Sequence, residues 1–585
     1  MNRSVAVALC AAGLTSLAMA QPQYAAENVT GQLVRTGVSN AAILASSLGV
    51  SASGTAGPGF NPNMPRSILR APFKSRLSTL DAPPFTSLGI GPATSGFSFA
   101  GLSHSDQRLA NNQNQFSVEP PNPSIAAGSD SNGRAYVLQG VNNAIQVYDA
   151  NTGSSLLASA LSSNQLFGLA PAINRAVTPV VYGLFPTDMR VFFDQTIRRW
   201  FVLQRTWDND TSNRLIPKTH IYLAVSQTAD PTQNYTIYAM DTTHATNNGC
   251  PCYSDYLQVG ADQYGFHIAA NEFTSYVSDP NFSQFVDATI LSISKASLAA
   301  GAPTPTAARF TLPFNNYEFA IQPATTPPNA AYFTAANGLE YFVSSSGNSD
   351  LNVSLWAMTN TASLSSGTPN LALAQTIVPT LTYYSPDPVN QKPGPIPYGD
   401  SLGQQLEFID GNDTRILSVS YALGRLYTTL ASKVRDENGK ILVGGAYIIL
   451  SPSFRNGVLS ANVFRQGYLL VKNNNLLRPS VAVNSQGRGA IAFTLVGPDY
   501  YPSTAFVPID TFSTGTTLQV AVNGAFPEDG FSGYQNFGIS RWGDYSTAVA
   551  GSDGKIWMGA EYIPVTTAFP TKLANWGTFL TRYAP

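Results

Sequence analysis

Residues 541–562 read RWGDYSTAVAGSDGKIWMGAEY, in which two short apolar runs flank a polar turn that contains Gly554. The first run covers 547–550, and the second begins at Ile556. Two apolar runs around a glycine turn are typical of a β-hairpin, because glycine readily adopts the positive φ that tight turns require. The stretch therefore predicts two short antiparallel strands.

The same arrangement occurs seven times between residues 122 and 562. Each copy starts at a polar residue and turns 9 to 11 residues later, and successive turns are 63 to 86 residues apart. This spacing leaves room for two further strands in each period, and four strands per repeat is typical of a β-propeller blade. We predict an all-β fold, a seven-bladed β-propeller over 116–585. The starting residues are Asn122, Asp188, Asp255, Asn329, Arg415, Arg478 and Asp544.

The N-terminal region has a different character. Residues 1–20 contain an apolar run after Arg3 and end in small residues at Ala20, which is typical of a cleaved secretory signal peptide. We therefore expect a secreted protein, either extracellular or periplasmic. Residues 21–115 are rich in Ala, Ser, Gly, Pro and Asn without a sustained period, which predicts a low-complexity extension that is poorly ordered or drapes over the propeller.

The overall charge limits the class of partner. The net charge is −2, and charged residues make up only 11% of the chain, against 44% hydrophobic residues. A nucleic-acid-binding protein needs a basic face, so we expect no nucleic-acid partner. No stretch after the signal peptide is long and apolar enough to cross a bilayer, so we expect no membrane partner. We also expect a monomer.

The seven starting residues predict where a site lies. The first strand of a propeller blade lines the central channel, so these side chains should surround one mouth of it. Convergent charge in a concavity favours a ligand site, although Asp and Asn at strand starts also bond local backbone N–H groups. We predict acid/base or Ca²⁺-ligand roles for Asp188, Asp255 and Asp544. The predicted substrate-binding residues are Arg415, Arg478, Arg541, Asn122, Asn329 and Tyr545.

Paired carboxylates with arginines and aromatic residues favour carbohydrate chemistry. We expect recognition, with cleavage as a further step, of an extracellular polysaccharide, glycan or other anionic polymer. An enzyme of this kind would be a glycoside hydrolase or a polysaccharide lyase. The alternative is a non-catalytic propeller for adhesion or protein scaffolding, and the sequence leaves both open.

Two cysteines follow the signal peptide, Cys250 and Cys252. They allow either a bridge between near neighbours or a zinc site with His244, Asp255 and His267. Zinc sites of this type usually need a second ligand pair, so the sequence assigns no metal residues.

The stretch YGDSLGQQ includes a G-x-S-x-G pattern at 399–403. In an α/β-hydrolase, the histidine that activates the serine lies downstream of it. All four histidines precede Ser401, so we predict an ordinary loop here.

Several stretches together resemble a family of exported, mostly bacterial β-propeller proteins. The first is EPPNPSIAAGSDSNGRAYVLQGVNNAIQVYDANTG, and the second is TDMRVFFDQTIRRWFVLQ. The last is RWGDYS, followed further along the chain by Trp557 and by Glu561 and Tyr562. The resemblance runs from about residue 98 onward and implies a propeller fold and export. The family has Asp where this chain has Asn122 and Pro where it has Met189. SDGKIW also resembles, with altered spacing, the Asp-box turn of sialidase-like propellers.

Overall fold

The computed structural model describes residues 23–47, 85–91, 96–116, 118–210, 215–244, 249–275, 284–315, 317–534, 538–565 and 574–585. The predicted signal peptide lies outside these residues. None of the described helices has the length and apolar content that crossing a bilayer requires.

The described residues form seven four-stranded antiparallel units, numbered here in chain order. Their strands are rich in β-branched and aromatic residues, which favour extended backbone. Units 1 and 2 contain Pro123–Ser129, Ala135–Val141, Ala144–Asp149 and Leu161–Ser162, then Phe185–Asp194, Arg199–Asn209, Leu215–Ser226 and Asn234–Asp241. Units 3 and 4 contain Cys252–Ala261, Gly265–Thr274, Phe285–Ser294 and Ala307–Pro313, then Gln322–Pro323, Leu339–Ser344, Asp350–Thr359 and Ala372–Tyr383.

The last three units follow the same plan. Units 5 and 6 contain Val419–Ala422, Arg425–Arg435, Ile441–Arg455 and Val458–Val471, then Asn475–Val483, Arg488–Val496, Ser503–Asp510 and Thr517–Val522. Unit 7 contains Thr547–Ala550, Ile556–Tyr562, Gly577–Tyr583 and, from the N-terminal region, Phe97–Ser103.

The first strand of each unit, its inner strand, lies beside the inner strands of the neighbouring units. The order is cyclic, because the inner strand of unit 7 also contacts that of unit 1. Between units 4 and 5 the contact is made by Thr325, which forms parallel bridges with Ala261 and Ser420. The prediction of an all-β fold is confirmed, and the inner strands enclose a central channel.

Six of the predicted hairpins pair in the described residues as expected, and the one in unit 4 is wrong. Leu339–Ser344 pairs with Gln322–Pro323, whereas the sequence pattern placed its partner after Asn329. Pro323, Pro327 and Pro328 lack the N–H that a strand donates, so the inner strand of unit 4 ends early. The residues that follow, 325–332, instead cross one end of the channel, and we call them the strap.

The described parts of the N-terminal region drape over the outer edges of the units. Val34–Asn40, Glu27–Asn28 and Gln23–Ala25 pair with the outer strands of units 2, 3 and 4, respectively. Phe85–Ile90 runs parallel to the outer strands of both unit 5 and unit 6. Of the two alternatives predicted for this region, these stretches follow the draping one, and they hydrogen-bond to otherwise open sheet edges.

The boundary predicted at 115/116 also divides unit 7, because Phe97–Ser103 is its fourth strand. The rings of Phe97 and Phe99 contact that of Trp557 at centroid distances of 6.0 Å. Aromatic contacts between the two ends of the chain therefore help to close the ring of units.

The remaining elements are short and lie in the connections. The helices are Ala41–Ser46, His104–Gln113, Ser163–Leu166, Lys295–Ala299, Pro397–Leu402 and Phe531–Tyr534, with 3₁₀ turns at Ala335–Asn337 and Thr361–Ser366. Two small ladders pair Ile173–Asn174 with Val181–Tyr182 and Phe408–Ile409 with Ile539–Ser540. The apolar core lies mainly between neighbouring units, where Trp200, Trp356 and Trp557 are buried.

Candidate functional site

The central channel is lined by residues from the inner-strand regions of all seven units. We call the end where the inner strands begin the start end, and the end where they turn back the turn end. The wall consists mostly of Ser, Thr, Gln, Val and Ala side chains.

At the start end, four of the predicted residues meet around an arginine that the sequence reasoning missed. Arg205 donates to Asp188 Oδ2 from Nε at 3.0 Å and from Nη2 at 2.7 Å, and its Nη2 lies 3.0 Å from Asp255 Oδ1. Asn122 donates to Asp188 Oδ1 at 2.7 Å and accepts from the Asp544 backbone N–H at 2.8 Å. The four predicted residues and Arg205 therefore form one hydrogen-bonded network, which links units 1, 2, 3 and 7.

The two buried aspartates of this network have opposite pKa shifts. Burial opposes the ionisation of Asp188, but the charge of Arg205 and the hydrogen bonds with Asp255, Asn122 and Arg205 together outweigh it and lower the pKa of Asp188 to about 2. Burial raises the pKa of Asp255 to about 7 against the pull of Arg205, and the neighbouring Asp188 carboxylate adds to the rise. The two side chains hydrogen-bond to each other. Between about pH 2 and pH 7 the pair therefore holds one proton and one negative charge.

Backbone irregularities direct these side chains toward the mouth. The ladders of units 2, 3 and 6 shift register near the beginning of the inner strand. At these shifts Asp188, Tyr256 and Arg478 have positive φ values of 52°, 53° and 55°. Non-glycine residues rarely adopt this conformation, and bulges of this kind re-aim side chains at the rims of barrels and near functional sites.

Arg415 and Arg478 lie at the start end, but both are directed at protein partners. Arg415 makes a bidentate pair with Asp413, with distances of 2.7 and 2.6 Å. Arg478 donates to the backbone carbonyls of Gly543 at 2.7 Å and Trp542 at 2.8 Å. Both side chains are buried, so a substrate would have to displace these bonds to reach them.

Tyr545 is part of an aromatic stack at the start end of the channel. Its ring stacks on that of Tyr256 at 5.1 Å, and the Arg190 guanidinium lies 3.4 Å from its centroid. These residues come from units 7, 3 and 2. The stack therefore links three units beneath the carboxylate network.

Arg541 and Asp544 are the predicted start-end residues that solvent reaches most readily. Their side chains are 33% and 22% exposed, and Arg541 Nη2 lies 3.4 Å from Asp544 Oδ2. Asp544 is also linked to the buried network through Asn122. A ligand that approaches this face therefore meets Arg541 and Asp544 first.

Asn329 does not belong to this group, which corrects the prediction. Its backbone N–H donates to Gln195 Oε1 at 3.3 Å, and its Nδ2 donates to the Ser552 carbonyl at 3.3 Å. Both partners lie in hairpin turns, so Asn329 is at the turn end, on the strap. The early end of the unit 4 inner strand explains the displacement.

Four buried glutamates form a second acidic group in the connections near the start end. Burial, together with neighbouring carboxylates, raises the pKa of Glu407 to about 10, that of Glu528 to about 7, and those of Glu119 and Glu561 well above the usual range. Glu119 accepts from the backbone of Phe531–Tyr534 and Glu561 accepts from a backbone N–H at 2.8 Å. These carboxyls are largely protonated, packed groups that hold the connections in place.

The sequence left zinc and calcium sites open as alternatives. Among the described residues, no cluster of three or more His, Cys, Asp or Glu side chains could hold a metal ion. Cys250 and Cys252 form a disulfide, which contradicts the zinc alternative. His244 instead contacts Arg309 at 2.9 Å. The position that Ca²⁺ would take between Asp188 and Asp255 is occupied by Arg205.

Two serine arrangements invite comparison with hydrolases. Ser292, His267 and Asp262 are in a row, with contacts of 2.9 and 3.4 Å, but all three are almost fully buried, so no substrate can approach. Ser401 lies in Pro397–Leu402, a short helix rather than the predicted loop, and donates to the Tyr398 carbonyl at 2.6 Å. Neither arrangement has the geometry of a hydrolase active site.

No known family model matches the chain, and no curated protein is similar to it in sequence. Among solved structures, a protein of unknown function from Dyadobacter fermentans shares 11% identity over 68% of this chain and 94% of its own, with a TM-score of 0.32. A subtype N10 neuraminidase-like protein from a little yellow-shouldered bat strain shares 10% over 65% and 95%, with a TM-score of 0.29. A glycosyl hydrolase from Bacteroides ovatus shares 9% over 58% and 89%, with a TM-score of 0.27. At these TM-scores the fold assignment depends on the strand topology above, and membership of the exported family stays a prediction.

Proposed function

We propose that this chain is a secreted seven-bladed β-propeller that recognises an extracellular carbohydrate or anionic polymer at the start end of its channel. The observation that supports this most directly is the network of Asn122, Asp188, Arg205 and Asp255, which holds Asp544 at its solvent side. Asp544 can accept hydrogen bonds from sugar hydroxyls, and Arg541 can donate to acid groups of the polymer. The buried network keeps both groups in a fixed position.

The geometry favours binding over cleavage. Glycoside hydrolysis uses two carboxyl groups about 5 Å or more apart, on either side of the bond that breaks. Asp188 and Asp255 instead hydrogen-bond to each other and to Arg205, and both are buried. They are therefore positioning residues for Asp544, and the glycoside hydrolase and lyase classes are the less supported alternatives.

The test measures the binding of the secreted protein to charged and neutral polysaccharides, with and without a chelator. We expect at least one acidic polysaccharide to bind. Arg541→Gln should weaken it about tenfold or more, because a charge-assisted bond contributes about 1.5–3 kcal/mol. Asp544→Asn should weaken binding severalfold. Asn329→Ala is the matched control at the opposite end and should bind as the natural protein does.

The same samples are assayed for new reducing ends and for unsaturated lyase products. Turnover that disappears in Asp544→Asn with folding intact would show that the protein is an enzyme. Absence of binding across the panel, or equal binding by the natural protein and both start-end variants, would contradict the proposal. Such a result would favour the adhesion or protein-scaffold alternative.

A further inference from the structure

An exposed aromatic side chain lies beside Arg541 at the start end. Phe408 is 47% exposed, and it belongs to the short ladder in which Phe408–Ile409 runs parallel to Ile539–Ser540. Its backbone N–H donates to the Gly538 carbonyl at 3.0 Å, and that of Ile409 donates to the Val389 carbonyl at 2.9 Å. These backbone bonds hold the ring of Phe408 at a fixed place on the protein surface.

The register of this ladder places Phe408 and Arg541 on the same face. Phe408 is directly opposite Ile539, whereas the next pair, Ile409 and Ser540, is fully buried. Because side chains alternate between the two faces of a strand, Phe408, Ile539 and Arg541 share the outer face. A strand spacing of about 4.8 Å and a rise of about 3.3 Å per residue put the Cα atoms of Phe408 and Arg541 about 8 Å apart. One sugar residue can therefore contact both side chains.

The Arg541 side chain has hydrogen-bond donors left for a ligand. A guanidinium carries five N–H donors, and in the part of the chain that the structure describes the only side-chain bond of Arg541 goes to Asp544, with Nη2 3.4 Å from Oδ2. The planar guanidinium matches a carboxylate through two parallel bonds. Phe408 adds an apolar ring against which the C–H face of a sugar can be buried. The pair therefore suits a sugar that carries a carboxylate.

The charges of the start end disfavour selection by bulk charge. Arg541 lies beside Asp544, and Arg205 is paired with Asp188. These two ion pairs leave no surplus of positive charge at the mouth. A densely charged polymer is attracted by a surface of one sign, whereas a single carboxylate needs only the local bond to Arg541. Stacking together with one charge-assisted contact is therefore the mode of binding that fits this surface.

We propose that Phe408, Arg541 and Asp544 form a subsite for a uronic acid residue, an inference that rests on the carbohydrate-binding function proposed above. The sugar packs its C–H face on the ring of Phe408. Its carboxylate accepts hydrogen bonds from Arg541, and one of its hydroxyls donates to Asp544. The polymer that the start end selects is therefore one that contains uronate, rather than a sulfated or a neutral polysaccharide.

Calorimetry on the full chain tests this subsite with three uronate polymers, namely alginate, polygalacturonate and hyaluronan. Dextran sulfate and dextran are the densely charged and the neutral comparison. We expect at least one uronate polymer to bind at least tenfold more tightly than either comparison. Phe408→Ala should weaken that binding about tenfold, because it removes most of the apolar contact. Phe408→Trp keeps an aromatic ring and should bind at least as tightly as the natural protein.

The matched control is Phe512→Ala, which removes a ring that is 78% exposed at the turn end of unit 6. It should bind the uronate polymer as the natural protein does. Because Phe408 and Phe512 are both exposed, neither alanine variant should change the Tm by more than a few degrees.

The outcomes separate this subsite from the function on which it rests. Natural affinity in Phe408→Ala with weakened binding in Arg541→Gln would overturn the subsite and leave the proposed function standing. Tighter binding of dextran sulfate than of every uronate polymer would do the same, since bulk charge would then select the ligand. A loss in Phe408→Ala that Phe408→Trp does not restore would make Phe408 a structural residue and also overturn the subsite. Absence of binding to all five polymers would contradict both proposals.

Discussion

The two ends of the channel differ in how their polar groups are used. At the start end, charged side chains from several units are buried and paired, and an aromatic stack lies beneath them. At the turn end, the strap crosses the opening with Asn329 exposed and bonded at 3.3 Å. The difference indicates that the start end carries the electrostatic contacts between units, whereas the turn end is crossed by an exposed segment with few and longer bonds.

The largest effect should come from removing the central cation of the start end. Arg205→Met leaves Asp188 and Asp255 buried without their partner. Breaking a buried ion pair from one side costs about 3–5 kcal/mol. Urea unfolding at pH 7 should therefore show a loss of that size.

The matched control is Arg541→Met, which removes the exposed arginine of the same end. An exposed pair contributes about 0–1 kcal/mol, so this variant should unfold close to the natural protein. Equal losses of unfolding free energy in the two variants would contradict the prediction, because the buried arginine would then contribute no more to stability than the exposed one.

The buried glutamates should make the free energy of unfolding depend on pH. The pKa of Glu407 is raised to about 10 in the folded protein, so the unfolded chain loses this proton first as the pH rises. Its contribution to stability is complete at acid pH and declines between about pH 4.5 and 10. Glu407→Gln mimics the protonated form, so at pH 9 it should be more stable than the natural protein by about 1–3 kcal/mol.

Urea unfolding of both proteins at pH 5, 7 and 9 measures this change. Glu437→Gln, on an exposed turn, is the control and should leave the pH dependence unchanged. A Glu407→Gln variant that loses stability more steeply with rising pH than the natural protein would contradict the assignment.

A smaller pH effect is expected for Asp255, whose pKa is raised to about 7. As for Glu407, the contribution of Asp255 to stability declines as the pH rises. The decline covers a narrower range, from about pH 4 to 7, because Arg205 offsets part of the rise in pKa that burial causes. Asp255→Asn should gain stability relative to the natural protein as the pH rises, by about 2 kcal/mol between pH 5 and pH 8. Thermal unfolding at both pH values checks this, and a large loss at pH 5 would show that the carboxyl itself is required.

Local patterns predicted the hairpins well, because the two arms of a hairpin are adjacent in sequence. They failed in unit 4, where the apolar run after Asn329 resembles a strand but Pro323, Pro327 and Pro328 end the inner strand before it. The alternation of Phe97 and Phe99 could have indicated a strand. Its partner, Gly577–Tyr583, lies at the other end of the chain and no local signal identifies it.

The candidate site shows the same limit. The polar residues at Asn122, Asp188, Asp255 and Asp544 were identified and do meet at one end. Arg205 was missed because it lies on the second strand of unit 2, although a charged residue inside an apolar strand is itself a signal that a buried partner exists. Which carboxylate it pairs with depends on contacts between units, which a single sequence does not contain.

The smallest effect is expected at the turn end, from Asn329→Ala. The change removes the Nδ2 bond to Ser552 and keeps the backbone bond to Gln195. Because the side chain is exposed, the loss should stay within about 0.5 kcal/mol. Urea unfolding compared directly with Arg205→Met measures the contrast between the two ends. A loss above about 1.5 kcal/mol would place the strap among the structural contacts and remove the distinction between the two ends.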